Sequence, residues 1–116
     1  MGRRPANRHL GLDLGGTNIK WALVQRAGDE WRTVDHAQVP TQAELGPPAV
    51  VSRLADVGAQ AVARWPNVSS VGVGVPGLYD PATGATRFLP NLPGDWAGVP
   101  VAAAVGEALG LPVRLI

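Results

Sequence analysis

The chain has 116 residues, close to half of them apolar, and its ten basic and nine acidic residues give a net charge of +1. The near-neutral balance, without a basic aromatic face, excludes a nucleic-acid-binding surface, and the lack of cysteine excludes a disulfide framework. No apolar run reaches the roughly 18 residues of a membrane span and no secretory leader precedes the first strand, so we expect one cytoplasmic domain, or part of one.

Hydrophobic periodicity divides the chain into strands and helices. Residues 1–7 are polar and predict a disordered tail. The next three apolar segments have tight connections, which predict an antiparallel meander with its polar third strand at the sheet edge. Those three strands are expected at residues 9–14, 18–25 and 31–39, and a loop follows over residues 40–48.

Helices and further strands alternate in the second half. An apolar stripe of period 3.6 predicts a helix over residues 47–65, and Gly110 followed by Pro112 marks the end of a second helix over residues 100–109. The other segments alternate or end at turn residues; we expect strands at 70–75 and 113–116 and a hairpin of 78–80 with 86–88. The order β-β-β-α-β-α-β predicts an α/β fold with a mixed five-stranded sheet, incomplete at the C-terminus.

A glycine pair between the first two strands is the strongest functional signal. Asp13 precedes Gly15, Gly16 and Thr17, and a second strand begins at once. Two glycines permit a tight turn and leave amide N–H groups unshielded, so the loop is suited to phosphate, with Asp13 placed to hold Mg²⁺. A buried strand normally avoids an unpaired carboxylate, which favours this interpretation over a plain hairpin turn. The spacing is neither that of a P-loop nor that of a dinucleotide fingerprint.

Three stretches, taken together, resemble the ROK family, and within it the bacterial glucokinases. The resemblance covers about residues 9–116. The first stretch is Leu12-Asp-Leu-Gly-Gly-Thr-Asn-Ile-Lys20, and the second is Val71-Gly-Val-Gly-Val-Pro-Gly77 with Asp80-Pro-Ala-Thr-Gly84. The third is Leu89-Pro-Asn-Leu-Pro-Gly-Asp-Trp96, followed by Val99-Pro100 and Gly110-Leu-Pro-Val113. The resemblance implies an actin-like (ribonuclease H-like) ATPase lobe over residues 8–116, with ATP and Mg²⁺ as cofactors and a hexose, most simply glucose, as substrate.

The resemblance also implies a role for individual residues. Asp13, Gly15, Gly16 and Thr17 would serve the ATP phosphates, with Asp13 also holding Mg²⁺, and Gly77 would border the hexose. Asn91 would hydrogen-bond a sugar hydroxyl, which suits an amide that both donates and accepts. A plain turn residue in a proline-rich loop is the alternative for Asn91, and Trp96 is expected to be a packing anchor.

The residue that would accept the sugar proton is not expected in this chain. In the family it is the Asp of an Asn-Asp pair at the end of the strand that begins at Val113, so we expect it beyond Ile116, with a structural Zn²⁺ motif and a second lobe. Asp80 and Asp95 are interpreted as turn residues. The chain is therefore expected to be an inactive N-terminal fragment of a glucokinase that is a homodimer and binds neither nucleic acid nor membranes.

Three alternatives stay open. A sugar-responsive ROK repressor would need a helix-turn-helix segment, for which seven polar residues are too short. A non-catalytic actin-like module would bind nucleotide without turnover. A kinase for another hexose, or one with polyphosphate as donor, would share the same motifs.

Overall fold

The computed structural model describes residues 7–116, so the predicted tail of residues 1–7 lies outside the described residues apart from Asn7, which is exposed. These residues form two α-helices, α1 (Pro47–Arg64) and α2 (Val101–Leu109). The strands, in chain order, are β1 (Arg8–Leu14), β2 (Asn18–Ala27), β3 (Glu30–Pro40), β4 (Val68–Gly74), β5 (Leu78–Asp80), β6 (Ala85–Phe88) and β7 (Val113–Leu115).

Five strands form one mixed sheet in the order β3-β2-β1-β4-β7. Strands β1, β2 and β3 are antiparallel neighbours, while β4 is parallel to β1 and β7 is parallel to β4. The predicted mixed five-stranded sheet is confirmed, and so is the edge position of β3. The predicted loop over residues 40–48 contains one turn of 3-10 helix, Ala43–Leu45.

Both helices pack on one face of the sheet and against each other. The predicted stripe of α1 is buried at Val50, Leu54, Val57 and Ala61, whereas Trp65 follows the last helical residue and is half-buried. Strand β1 contributes alternate residues to this core, because successive side chains of a strand point to opposite faces. Within residues 7–116, neither helix is long and apolar enough to cross a membrane.

The opposite face of the sheet is open in the part of the chain that the structure describes. Gly11 and Asp13 of β1 and Lys20 of β2 are exposed there. An open groove of about 840 Å³ runs along this face and is lined by residues that include Asp13, Lys20, Gln38, Gly74 and Ile116. Asp13 is therefore reached from solvent over the uncovered side of the sheet.

The carboxyl ends of the parallel strands meet at one edge of the sheet. The chain leaves β1 at Leu14 and β4 at Gly74 on this edge, and β7 ends beside β4. The predicted hairpin is formed by β5 and β6 and follows β4 directly. Ligands of open α/β sheets bind at this kind of edge, so the fold brings the predicted loop and the hairpin to the position where a site is expected.

Candidate functional site

The loop after β1 is tightly turned at Gly15. The N–H of Gly15 donates to the carbonyl oxygen of Asn18 over 3.0 Å. A Cβ on Gly15 would lie 2.6 Å from that same oxygen, so no larger residue fits without a backbone shift. The first glycine of the pair is therefore required by the turn itself.

Two backbone N–H groups of the loop have no partner in the part of the chain that the structure describes. Gly16 and Thr17 are exposed, and neither N–H is hydrogen-bonded to another group of residues 7–116. Successive unpaired N–H groups in a turn form a concavity that binds anions. The loop can therefore receive phosphate oxygens, and the hydroxyl of Thr17 adds a further donor.

Thr41 supports the loop from the inside, and the sequence interpretation missed it. Its hydroxyl donates to the carbonyl oxygen of Gly15 over 2.7 Å, and its N–H donates to the carbonyl oxygen of Thr17 over 2.9 Å. The side chain is completely buried. A signal was present, because a hydroxyl residue directly after β3 lies opposite the start of β2, where Asn18 pairs with Pro40.

Asp13 is the penultimate residue of β1, two residues before Gly15, where the loop begins. It is exposed on the open face, so the interpretation of a carboxylate within a buried strand was wrong: β1 is buried on one side only. Lys20 is its direct neighbour on β2 and Gly74 its neighbour on β4, and no cation of residues 7–116 lies within ion-pairing distance.

This environment suits a hydrated Mg²⁺. Magnesium is usually held by one or two carboxylates together with substrate phosphates and water, and it does not need a complete cage of protein ligands. The carboxylate of Asp13 is accessible, has no ion-pair partner among residues 7–116 and lies next to the anion-binding loop. No group of three or more His, Cys, Asp or Glu within residues 7–116 could hold a metal ion by itself.

Asn91 lies against the loop of residues 15–17, although it follows Gly16 by 75 residues in the sequence. A Cβ on Gly16 would lie 2.9 Å from the carbonyl oxygen of Asn91 and 3.6 Å from its Cβ. Asn91 is exposed and lies in a turn that is closed by the N–H of Leu92 donating to the oxygen of Leu89 over 3.2 Å. The backbone of Asn91 thus lies directly beside Gly16 of the anion-binding loop, and the residue is exposed.

Gly77 is packed against the segment that leads to Asn91. A Cβ on Gly77 would lie only 2.1 Å from the carbonyl oxygen of Phe88 and 3.0 Å from a side-chain carbon of Leu89. Gly77 is exposed on its other side. Its backbone therefore faces solvent beside the Asn91 turn, at the same edge of the sheet.

The tryptophan of this segment is a packing anchor, as expected. Trp96 is 2% exposed, and its indole N–H donates to the carbonyl oxygen of Pro93 over 3.2 Å. The hydroxyl of the buried Thr86 donates to the carbonyl oxygen of Trp96 over 2.7 Å. These contacts attach the 93–96 segment to the hairpin.

Two other carboxylates near the hairpin serve local turns. Asp80 accepts the N–H of Ala82 over 2.9 Å and pairs with Arg87, and Asp95 accepts the N–H of Ala97 over 2.9 Å. The N–H of Ala82 is the main cause that lowers the pKa of Asp80 below its ordinary value. Asp80 therefore favours the ionised, hydrogen-bonded state that stabilises its turn.

Comparison with known proteins gives a consistent result. The sequence matches the ROK family over residues 9–116. It is 33% identical to a glucokinase from Thermotoga maritima over 96% of this chain and 33% of that protein. It is also 33% identical to a transcriptional regulator from Mycobacterium bovis, over 91% of this chain and 23% of the regulator.

Solved structures of sugar kinases contain the same fold. The ROK hexokinase from Thermus thermophilus matches with a TM-score of 0.76 and 34% identity, covering 94% of this chain and 34% of that one. The neighbours are ROK and hexokinase proteins of the actin-like ATPase fold, which confirms the expected fold class. The chain spans about a third of the length of the curated kinase relatives that it matches.

Proposed function

Because the chain belongs to the ROK family, we propose that it is the N-terminal lobe, residues 8–116, of an ATP-dependent hexose kinase, with glucose as the favoured substrate. The observation that carries the proposal is the contact between Gly16 and Asn91. It places the backbone of the exposed Asn91 directly beside an anion-binding loop, and transfer of a phosphoryl group to a sugar hydroxyl requires the phosphate and sugar sites to be neighbours. The proposal includes a cytoplasmic location and a homodimeric whole protein.

Each predicted residue has a role in this proposal. The N–H groups of Gly16 and Thr17 would bind phosphate oxygens of ATP, while Gly15 shapes the turn. Asp13 would hold Mg²⁺, which, when bound, neutralises phosphate charge. Gly77 and Asn91 would border the sugar, with the Asn91 amide donating to one hydroxyl and accepting from another.

We propose that the base for the sugar hydroxyl comes from outside these 116 residues. Asp80 and Asp95 are committed to turns, and Asp13 is assigned to Mg²⁺. Strand β7 runs parallel to β4, and the carbonyl oxygen of Ile116 accepts the N–H of Val75 over 3.2 Å. Any residue that follows Ile116 would thus start at the edge of the sheet that carries the site. The structural Zn²⁺ of the family would likewise lie outside these residues.

Titration of the ¹⁵N-labelled chain with MgATP tests the phosphate and metal roles. We expect the amide resonances of Gly16 and Thr17 to shift, and the affinity to fall at least tenfold in Asp13→Asn. The matched control is Asp29→Asn, in the exposed turn between β2 and β3. Equal affinities of the two variants, or loop amides that do not respond to MgATP, would contradict the proposal.

The catalytic part of the proposal needs a second experiment. The 116-residue chain should form no ADP when glucose and MgATP are supplied, and a longer product of the same gene should do so. An Asn-Asp pair encoded shortly after Ile116 would identify the expected base. Glucose-dependent ADP formation by the chain alone would overturn the assignment of the base to another segment.

A ROK repressor is the second candidate, since the regulator from Mycobacterium bovis is also 33% identical to this chain, over 91% of it. A repressor would bind the sugar without turnover and would carry a helix-turn-helix segment elsewhere in the whole protein. A non-catalytic nucleotide-binding module would give loop shifts with MgATP but none with glucose. Competition among glucose, mannose, fructose and N-acetylated hexosamines would decide the sugar.

A further inference from the structure

We propose that Thr41 is a positioning residue, which holds the loop of residues 15–17 so that its N–H groups face the phosphate. The inference rests on the proposed function of this loop. It concerns a residue outside the glycine motif, 26 positions from Gly15 in the sequence. Thr41 touches no predicted ligand and would act only through the loop.

The first observation is the burial of Thr41. It is one of two completely buried polar side chains within residues 7–116, and the other is Thr86. A hydroxyl buried in this way must have a partner, because burying it unpaired carries a large desolvation cost. The partner of Thr41 is the carbonyl oxygen of Gly15, at 2.7 Å. This hydrogen bond therefore holds the loop at a fixed distance from the end of β3.

The second observation is the direction of the peptide groups in the loop. The carbonyl oxygens of Gly15 and Thr17 both accept hydrogen bonds from Thr41, and that of Asn18 accepts the N–H of Gly15. These three oxygens are thus satisfied within the fold. The N–H groups of Gly16 and Thr17 remain unpaired among the described residues, on the exposed side.

The direction of these peptide groups determines whether the loop attracts or repels a phosphate. A carbonyl oxygen that turned toward the phosphate would repel it, and a peptide that rotated freely would present its oxygen part of the time. Donors that are held in place before binding need no reorganisation when the anion arrives, which is the advantage of a preorganised site. Loss of the Thr41 hydroxyl would release the Gly15 carbonyl and weaken phosphate binding without removing any donor to phosphate.

The chain offers a matched control for this effect. Thr86 has the same residue type and the same complete burial, and its hydroxyl donates to a carbonyl over the same 2.7 Å. It joins the hairpin to Trp96 and makes no bond to the loop. Thr41→Val and Thr86→Val therefore remove equivalent hydrogen bonds at two places.

The experiment measures the affinity of the 116-residue chain and its variants for Mg²⁺-tripolyphosphate and for MgATP, with the urea midpoint of each variant as a measure of stability. We expect Thr41→Val to weaken both affinities about fivefold to tenfold, the effect of one lost hydrogen bond. Thr41→Ser should remain within about twofold of wild type, since it keeps the hydroxyl. Thr86→Val should lower the urea midpoint and leave both affinities unchanged.

The outcomes separate the inference from the proposed function. If the wild-type chain binds neither probe, the proposed function fails and the role of Thr41 fails with it. If the wild type binds both probes and Thr41→Val binds them equally well, only the role of Thr41 is overturned. A loss of affinity in Thr86→Val as large as in Thr41→Val would also overturn it, because the effect would then be one of stability.

Hydrogen exchange in the wild-type chain provides a measurement that does not depend on the folding of a variant. The N–H of Thr41 exchanges only when its bond to Thr17 opens. We expect saturating MgATP to slow exchange at Thr41 at least tenfold and to leave Thr86 unaffected. Equal exchange rates at Thr41 with and without MgATP would contradict the inference.

Discussion

Replacing Gly77 with alanine introduces an atom at a position where the structure has no room for one. The new Cβ would lie 2.1 Å from the carbonyl oxygen of Phe88, whereas non-bonded contacts of real Cβ atoms essentially never fall below 3.0 Å. The two backbone segments would therefore have to separate by at least about 0.9 Å. Overpacking of this kind costs about 1–3 kcal/mol of unfolding free energy.

Urea unfolding of the 116-residue chain, followed by tryptophan fluorescence and circular dichroism, measures this cost. We expect Gly77→Ala to lower the urea midpoint with an unchanged dependence on urea concentration. The control is Gly11→Ala in β1, where the nearest atom to the new Cβ lies at an ordinary 3.8 Å. It should match or exceed wild-type stability, by up to about 1 kcal/mol. A Gly77→Ala midpoint equal to that of wild type would refute the reasoning from this contact.

Three further variants test the core, a helix end and a hydrogen-bonded carboxylate. Leu54→Ala, at a fully buried position of α1, should cost about 2–5 kcal/mol in urea unfolding, while Ser52→Ala on the exposed side of the helix should stay within about 0.5 kcal/mol of wild type. Gly110→Ala should cost about 1 kcal/mol in the same measurement, because this residue ends α2 in the left-handed conformation with φ of 67°. The pKa of Asp35 is lowered chiefly by the hydrogen bond from Trp65, so its contribution to stability is present above about pH 4 and is lost as the pH falls through the folded-state value. Thermal unfolding from pH 7 to pH 2.5 should therefore show a smaller loss for Asp35→Asn than for wild type, and equal losses would contradict the assignment.

The fold was predictable where the determining pattern is local. The apolar repeat that predicts α1 and the glycine that ends α2 each belong to a single helix, and both helices occur where expected. Strand ends were predicted less well: β2 continues past Gln25 to Ala27, which pairs with Glu30. The predicted end of β2 rested on the polarity of its side chains. Backbone pairing does not depend on that polarity, and it continues up to the hairpin turn at Gly28, whose φ is 65°.

The candidate site was predictable only in its local part. Asp13 and the loop of residues 15–17 form one continuous motif, whereas the role of Asn91 was implied by the family resemblance, with which its amide chemistry agrees. That Asn91 contacts the loop, and that Thr41 bonds to it, depends on how β3 and the hairpin are arranged around the sheet. Residue spacing in the sequence carries no signal for the contact of Asn91, and the position of Thr41 directly after β3 becomes a signal only once the pairing of β3 with β2 is known.

The two glycines of the motif illustrate this limit. In the sequence they are equivalent, and both were attributed to a tight turn with unshielded N–H groups. In the structure only Gly15 is required by the turn, since its Cβ would meet the oxygen of Asn18, three residues away. Gly16 is required by a distant partner, because its Cβ would meet the carbonyl oxygen of Asn91. Gly16 thus allows the loop and the Asn91 turn to lie close together, and the proposed phosphoryl transfer depends on their proximity.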